Sequence, residues 1–177
     1  MSLLYYPHRD VIYFHVPKTG GTSLKDHLSN GINNKAKKKW GDAHLELLRP
    51  TEMRAAVPEL YARTRKIKTH RNTWKRIRSA YVGQNIQMPF GDFVDRLVRM
   101  LPDNPFIYVT TVTSQMYWVE PDIESFNTED LDKVFPGIKR LNVSNTNKPV
   151  YTDETLNKVG DLYREEIDLF GFKPPSI

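Results

Sequence analysis

Residues 12–24, IYFHVPKTGGTSL, set a run of apolar β-formers directly before a Lys-Thr-Gly-Gly-Thr-Ser turn. Ile12, Tyr13, Phe14 and Val16 read as a buried strand, and the turn behind them has the make-up of an anion cradle at a helix N-terminus. Gly20 and Gly21 can take backbone angles barred to other residues and so turn amide hydrogens inward. Thr22 and Ser23 add hydroxyl donors, and Lys18 adds a mobile positive charge. A Walker A loop also holds phosphate between a strand and a helix, but its lysine follows the glycines and its last hydroxyl binds magnesium. Here the lysine comes first, and no downstream apolar strand ends in Asp in the Walker B manner. A sulfuryl group carries less negative charge than a terminal phosphoryl, so a lysine and amide donors suit its transfer without a divalent ion.

Working outward, residues 21–30 read as a helix with Leu24 and Leu28 four apart and Gly31 as its stop. Lys35 to Lys39 is a solvated loop. Thr51 and Glu52 open a short helix that Pro58 interrupts, and Lys66 to His70 reads as a polar-alternating strand running into Arg71. Within 72–82, Trp74, Ile77, Ala80 and Tyr81 share a helical face, with Lys75, Arg76 and Ser79 on others. Phe90, Phe93, Val94, Leu97, Val98 and Leu101 make an amphipathic helix stopped by Pro102; Phe106 to Val112 reads as a central strand. Residues 121–126 are a further strand candidate, and Thr128 begins a short acidic helix ending near Pro136. Leu156, Val159, Tyr163, Ile167 and Phe170 predict one final helix from a Thr152/Asp153 cap to Gly171. Strands alternating with helices predict an α/β fold of the P-loop type, three layers with a central parallel sheet flanked by helices, whose ligands sit beyond the carboxyl ends of the strands.

At 177 residues the chain fits a single domain over 1–177, able to bury roughly 70% of its unfolded surface. The absence of cysteine excludes a disulfide scaffold, a thiol nucleophile and a thiolate metal site. No run approaches the ~20 apolar residues of a membrane span, and the first apolar run carries the anion loop, unlike a cleavable leader. The expectation is a cytoplasmic enzyme, prokaryotic or viral, although a trimmed luminal chain beginning near Met1 would read the same. The net charge of +5 is uneven. Arg63, Arg65, Lys66, Lys68, Arg71, Lys75, Arg76 and Arg78 crowd together with no acid among them, whereas Glu120, Asp122, Glu124, Glu129, Asp130 and Asp132 reverse the balance downstream. The basic run fits either a nucleic-acid surface or a pocket for a doubly charged nucleotide, and the acidic run favours the pocket.

The stretch PKTGGTS, residues 17–23, resembles the 5′-phosphosulfate loop of sulfotransferases that use 3′-phosphoadenosine 5′-phosphosulfate (PAPS). Residues 71–81, RNTWKRIRSAY, are similar to that family's 3′-phosphate segment, RNPWDRLVSAY, with Thr73 in place of Pro and Lys75 in place of Asp. Residues 141–170 resemble its closing Asn-x-Ser turn and terminal helix, with Asn142 and Ser144 in the turn; the nearest types are the heparan sulfate 2-O-sulfotransferases and small bacterial members. The resemblance implies that Pro17, Lys18, Thr19, Gly20, Gly21, Thr22 and Ser23 hold the 5′-phosphosulfate, Lys18 neutralising the departing oxygen. It implies that Arg71 and Ser79 grip the 3′-phosphate. It further implies PAPS as co-substrate and a hydroxyl-bearing acceptor, an acidic glycan or small molecule; the residue readings above add the expectations of no metal, no nucleic acid and no membrane span.

For the general base, His44 follows a Trp-Gly-Asp turn in the interval where the 2-O-sulfotransferase type carries its catalytic histidine, and imidazole titrates near neutrality. A solvent-exposed loop histidine describes it equally well, with His70 the reserve candidate. Two other classes stay open: a P-loop nucleotide kinase, and a basic nucleic-acid-binding module.

Overall fold

The computed structural model describes residues 5–29, 49–105, 111–141 and 148–176. Tyr5–Tyr6 (β1) and Val11–Phe14 (β2) pair antiparallel, joined by a 3₁₀ turn at Pro7–Arg9 that ends with Asp10 in a left-handed conformation at φ 47°. Gly21–Ser29 forms α1, Pro50–Ala56 α2 and Pro58–Arg63 α3. The two prolines sit at the first turns of their helices, where a missing N–H costs nothing, and Glu52 closes a capping box on Arg49. Arg65–His70 (β3) runs parallel to β2 with Ile12 opposite Lys66 and Phe14 opposite Lys68. Thr73–Gly83 is α4, Phe90–Met100 α5, Glu124–Asn127 β4 and Leu131–Val134 α6. β4 is parallel to β3, so the order is β1-β2-β3-β4 and the sheet is mostly parallel. Asp153–Leu162 and Arg164–Phe170 complete the chain as α7 and α8. The architecture is α/β. Among the described residues no helix is long and apolar enough to cross a membrane.

The chain divides into two compact units. The first runs to His70 and resumes from Tyr117; the second starts at Arg71, breaks off at Met116 and takes in the C-terminal helices. In the first unit, alternation along β2 sends its side chains to opposite faces. Val11 and Tyr13 pack with Ile67 and with Leu24 and Leu28 of α1. Ile12 and Phe14 pack with Met53 of α2, Tyr61 of α3 and Trp118. This unit is therefore layered helix, sheet, helix. The core of the second unit joins α4, α5 and α7 through Trp74, Ile77, Phe93, Val94, Leu97 and Val159. Trp74 Nε1 donates to Leu156 O at 3.0 Å, so this indole is a satisfied core residue.

Several local expectations change. β3 is not polar-alternating: Lys66, Ile67, Lys68 and Thr69 are all buried. Lys66 is accommodated because its Nζ lies over the Tyr61 ring, 4.7 Å from the centroid, and donates to Tyr61 O at 2.8 Å and Thr64 O at 3.0 Å. Arg76 belongs to the buried face of α4, with no exposure. Val98 of α5 is instead exposed. The single final helix is broken at Tyr163 (φ −117°), whose buried ring carries a hydroxyl that donates to Val112 O at 2.6 Å. Gly171 does end α8, in the left-handed conformation at φ 64°. Of the strand expected over 106–112, Thr111 and Val112 lie in a turn and the rest lies outside the described residues. So do Gly31, the Lys35–Lys39 loop, His44, Asn142 and Ser144.

Candidate functional site

In the first unit the chain leaves β2 at Phe14 and enters α1 at Gly21 through the six residues His15 to Gly20. Two of them take left-handed angles, Lys18 at φ 66° and Gly20 at φ 79°. For lysine that conformation is unfavourable and requires its surroundings to enforce it. The enforcing contacts are internal. Thr19 is fully buried; its hydroxyl donates to Val16 O at 2.6 Å and lies 2.6 Å from Thr69 Oγ1 on β3. With the Thr19 proton committed, Thr69 donates to Thr19, and the Tyr13 hydroxyl, 3.0 Å away, donates to Thr69. Burial pushes the Tyr13 phenol above its ordinary range, so it remains a donor. Thr128, at the end of β4, places its hydroxyl 2.8 Å from both Thr19 O and His70 O. The loop is thus tied to the carboxyl ends of two neighbouring parallel strands, the position at which α/β sheets present ligand loops.

The two glycines have different reasons to be there. Gly20 needs its positive φ, and an added Cβ would stand 3.0 Å from Thr128 Cγ2 and 3.3 Å from Leu131 Cδ1. Gly21 is an ordinary helical residue, but its Cβ would fall 2.2 Å from the His15 ring, which lies over the start of α1 with its centroid 6.0 Å from that of Tyr13. Ser23 is buried and its Oγ accepts from Leu141 N at 2.8 Å; Thr22 is exposed and Pro17 is buried. The hydroxyls of Thr19 and Ser23 therefore serve the protein interior. The amides of Gly21, Thr22 and Ser23 open a nine-residue helix, where intrahelical acceptors are lacking and the helix dipole favours an anion.

His70 closes β3. Its Nδ1 is 2.7 Å from Ser125 Oγ, and burial, with the nearby Lys68 charge as the second cause, pulls its pKa down to about 4. The ring is neutral at pH 7. Among the described residues no group of three or more His, Asp or Glu side chains converges to hold a metal.

In the second unit, Arg71 and Asn72 lead into α4. Asn72 caps the helix by accepting from Lys75 N at 3.2 Å. Arg71 therefore stands just before the helix, and Ser79 lies six residues beyond Thr73, about 9 Å along the axis at ~1.5 Å per residue. Both are half-buried, as are Lys75 and Arg78. Thr73, which replaces the proline of the resembled segment, donates to the buried Glu166 at 2.6 Å. Gln115 binds both main-chain groups of Arg71. No local sequence pattern announces Thr69, Thr128, Gln115 or Glu166; a hydroxyl, amide or carboxylate in a non-repeating segment gains its role only from what the fold brings against it.

The basic run of 63–78 is not a charged stripe. Lys66, Lys68 and Arg76 are buried. Arg65 is held by Glu124 through two 2.7 Å hydrogen bonds. The acidic run supplies further partners: Glu120 sits 3.2 Å from Arg54, and Asp122 sits 3.5 Å from Lys66. Comparison of the chain with protein-family models, curated proteins and solved structures gives no match, so its own residues carry the functional reading.

Proposed function

We propose that this protein is a sulfotransferase that moves the sulfuryl group of PAPS to a hydroxyl of an acidic glycan or small molecule. The observation that carries the reading is the 15–20 turn. A parallel strand delivers Lys18 and Gly20 in left-handed conformations to the N-terminus of α1, on a backbone tied down at Thr19. Such a loop offers fixed amides and one mobile cation to an anion. In the proposed reaction the acceptor oxygen attacks sulfur, the bond from sulfur to the bridging phosphate oxygen breaks, and Lys18 neutralises the charge left on that oxygen. Gly20, Gly21, Thr22 and Ser23 present amides to the phosphosulfate, with Pro17 and Thr19 shaping the turn. Arg71 and Ser79 take the 3′-phosphate, following the resemblance of residues 71–81. His44 and His70 both remain candidates for the base. Burial of Lys66, Lys68 and Arg76 weakens the nucleic-acid alternative, because the sequence run supplies less surface charge than it counts.

The deciding measurement is titration calorimetry with 3′-phosphoadenosine 5′-phosphate, AMP and ATP, with and without magnesium. The proposal expects the 3′-phosphorylated nucleotide to bind tightest and magnesium to be immaterial. Preferential, magnesium-dependent ATP binding would instead identify a kinase.

A further inference from the structure

Arg71 and Asn72 belong to no helix or strand, and in such a linker each backbone N–H and C=O must find a partner outside a ladder. For Arg71 a single side chain serves both. Gln115 Oε1 accepts from the Arg71 N–H at 2.9 Å, and Gln115 Nε2 donates to the Arg71 carbonyl at 2.9 Å. The second Nε2 hydrogen goes to Glu166 Oε1 at 3.0 Å, and the Gln115 main-chain N–H goes to Glu166 Oε2 at 2.6 Å. Both amide donors are used and the amide oxygen is engaged, so the partners dictate which end of the amide is oxygen. Gln115 and Glu166 are both fully buried, where an unsatisfied group is costly and a satisfied network is rigid. Glu166 is anchored in turn by Thr73 at 2.6 Å, Ser114 at 3.0 Å and Arg76 at 3.4 Å.

We propose that Gln115, held by Glu166, is the positioning residue for Arg71, fixing the main chain from which the guanidinium departs and so its aim at the 3′-phosphate. The inference rests on the sulfotransferase reading given above. A guanidinium lies at the end of a long side chain, so a small rotation at its Cα becomes a large displacement at the fork. Bidentate recognition of a phosphate does not tolerate that displacement. The clasp removes the freedom at its origin, and through Glu166 it makes α8 a support of nucleotide recognition.

The test compares affinities for 3′-phosphoadenosine 5′-phosphate and AMP, by calorimetry on the full chain, in the parent and in the Arg71→Ala, Gln115→Leu and Glu166→Gln variants. Gln115→Leu is expected to lower the ratio of the two affinities about tenfold, entirely through the 3′-phosphorylated nucleotide, with AMP affinity within about twofold of the parent. Glu166→Gln is expected to lower the ratio less, since it keeps one carbonyl acceptor. The Arg71→Ala/Gln115→Leu double variant should fall no further than Arg71→Ala. A Gln115→Leu protein that weakens both nucleotides equally, or keeps the parent ratio while Arg71→Ala loses it, overturns the positioning role and leaves the Arg71 assignment standing. If Arg71→Ala itself keeps the ratio, the 3′-phosphate assignment fails and the positioning role goes with it. Should Gln115→Leu not fold, Gln115→Asn, one methylene shorter, takes its place in the same comparison.

Discussion

The guanidinium of Arg76 and the carboxylate of Glu166 meet at 3.4 Å with neither side chain exposed to solvent. Buried charges of this kind contribute little net stability as a pair, yet removing one partner is costly because the other stays buried and unpaired. Glu166→Ala should therefore destabilise by about 3–5 kcal/mol, read as a lower midpoint of chemical denaturation. The double replacement Arg76→Met/Glu166→Leu should not recover the loss, because Thr73, Ser114 and Gln115 also donate to this carboxylate. Recovery to near the parent midpoint would show that the ion pair alone sets the cost.

Lys18 combines a left-handed backbone with the charge assigned to the leaving group. Lys18→Gly removes the charge and relaxes the backbone together. Turnover with PAPS should fall at least about 100-fold, the scale of losing one preorganised electrostatic contact. Thermal stability should be no lower than the parent's. Retained turnover in this variant removes Lys18 from the proposed chemistry.

The two loop glycines should respond differently to alanine. Gly20→Ala is strained by its positive φ and crowds Thr128 and Leu131, so a loss of about 1–2 kcal/mol is expected that no neighbouring truncation fully restores. Gly21→Ala suffers mainly from the His15 ring at 2.2 Å, with the Tyr13 hydroxyl a lesser neighbour at 3.2 Å, and His15→Ala in the same chain should restore most of the stability. A double-mutant cycle on unfolding free energies measures the coupling; zero coupling between positions 15 and 21 contradicts the contact.

The depressed pKa of His70 predicts a pH dependence. Its ordinary value is 6.5 and burial, then Lys68, brings it to about 4 in the folded chain. Between these values the unfolded chain binds the additional proton, so the stability held above pH 6.5 is lost as pH falls toward 4, and below 4 there is no further change. His70→Asn should show a shallower stability loss across that window than the parent. An NMR titration of the His70 ring with a midpoint near 6.5 would remove the basis for this prediction.

The β2 strand, the glycine turn and α1 could be read from residues 12–24 because each depends on neighbours within a few positions. A continuous apolar run sets the strand, and glycine freedom sets the turn at Gly20. The Thr152 cap and the left-handed Gly171 were legible for the same reason. Helical spacing counts apolar residues and so puts Arg76 on an outer face; a buried guanidinium with a carboxylate ninety positions away looks, in sequence, like any charged surface residue. Lys66 and Lys68 made β3 appear half-polar, although their stems lie in the core.

Sequence by itself determined that a glycine-bearing turn joins a strand to a helix, since that is a matter of local dihedral preference and composition. Tertiary structure alone decided that Thr69 and Thr128 lock the turn, that Gln115 clasps Arg71 and that Glu166 stands behind the clasp. Those roles require hydrogen-bonding atoms from residues 44 to 109 positions apart to come within 3 Å, and only the chain's path through space specifies that.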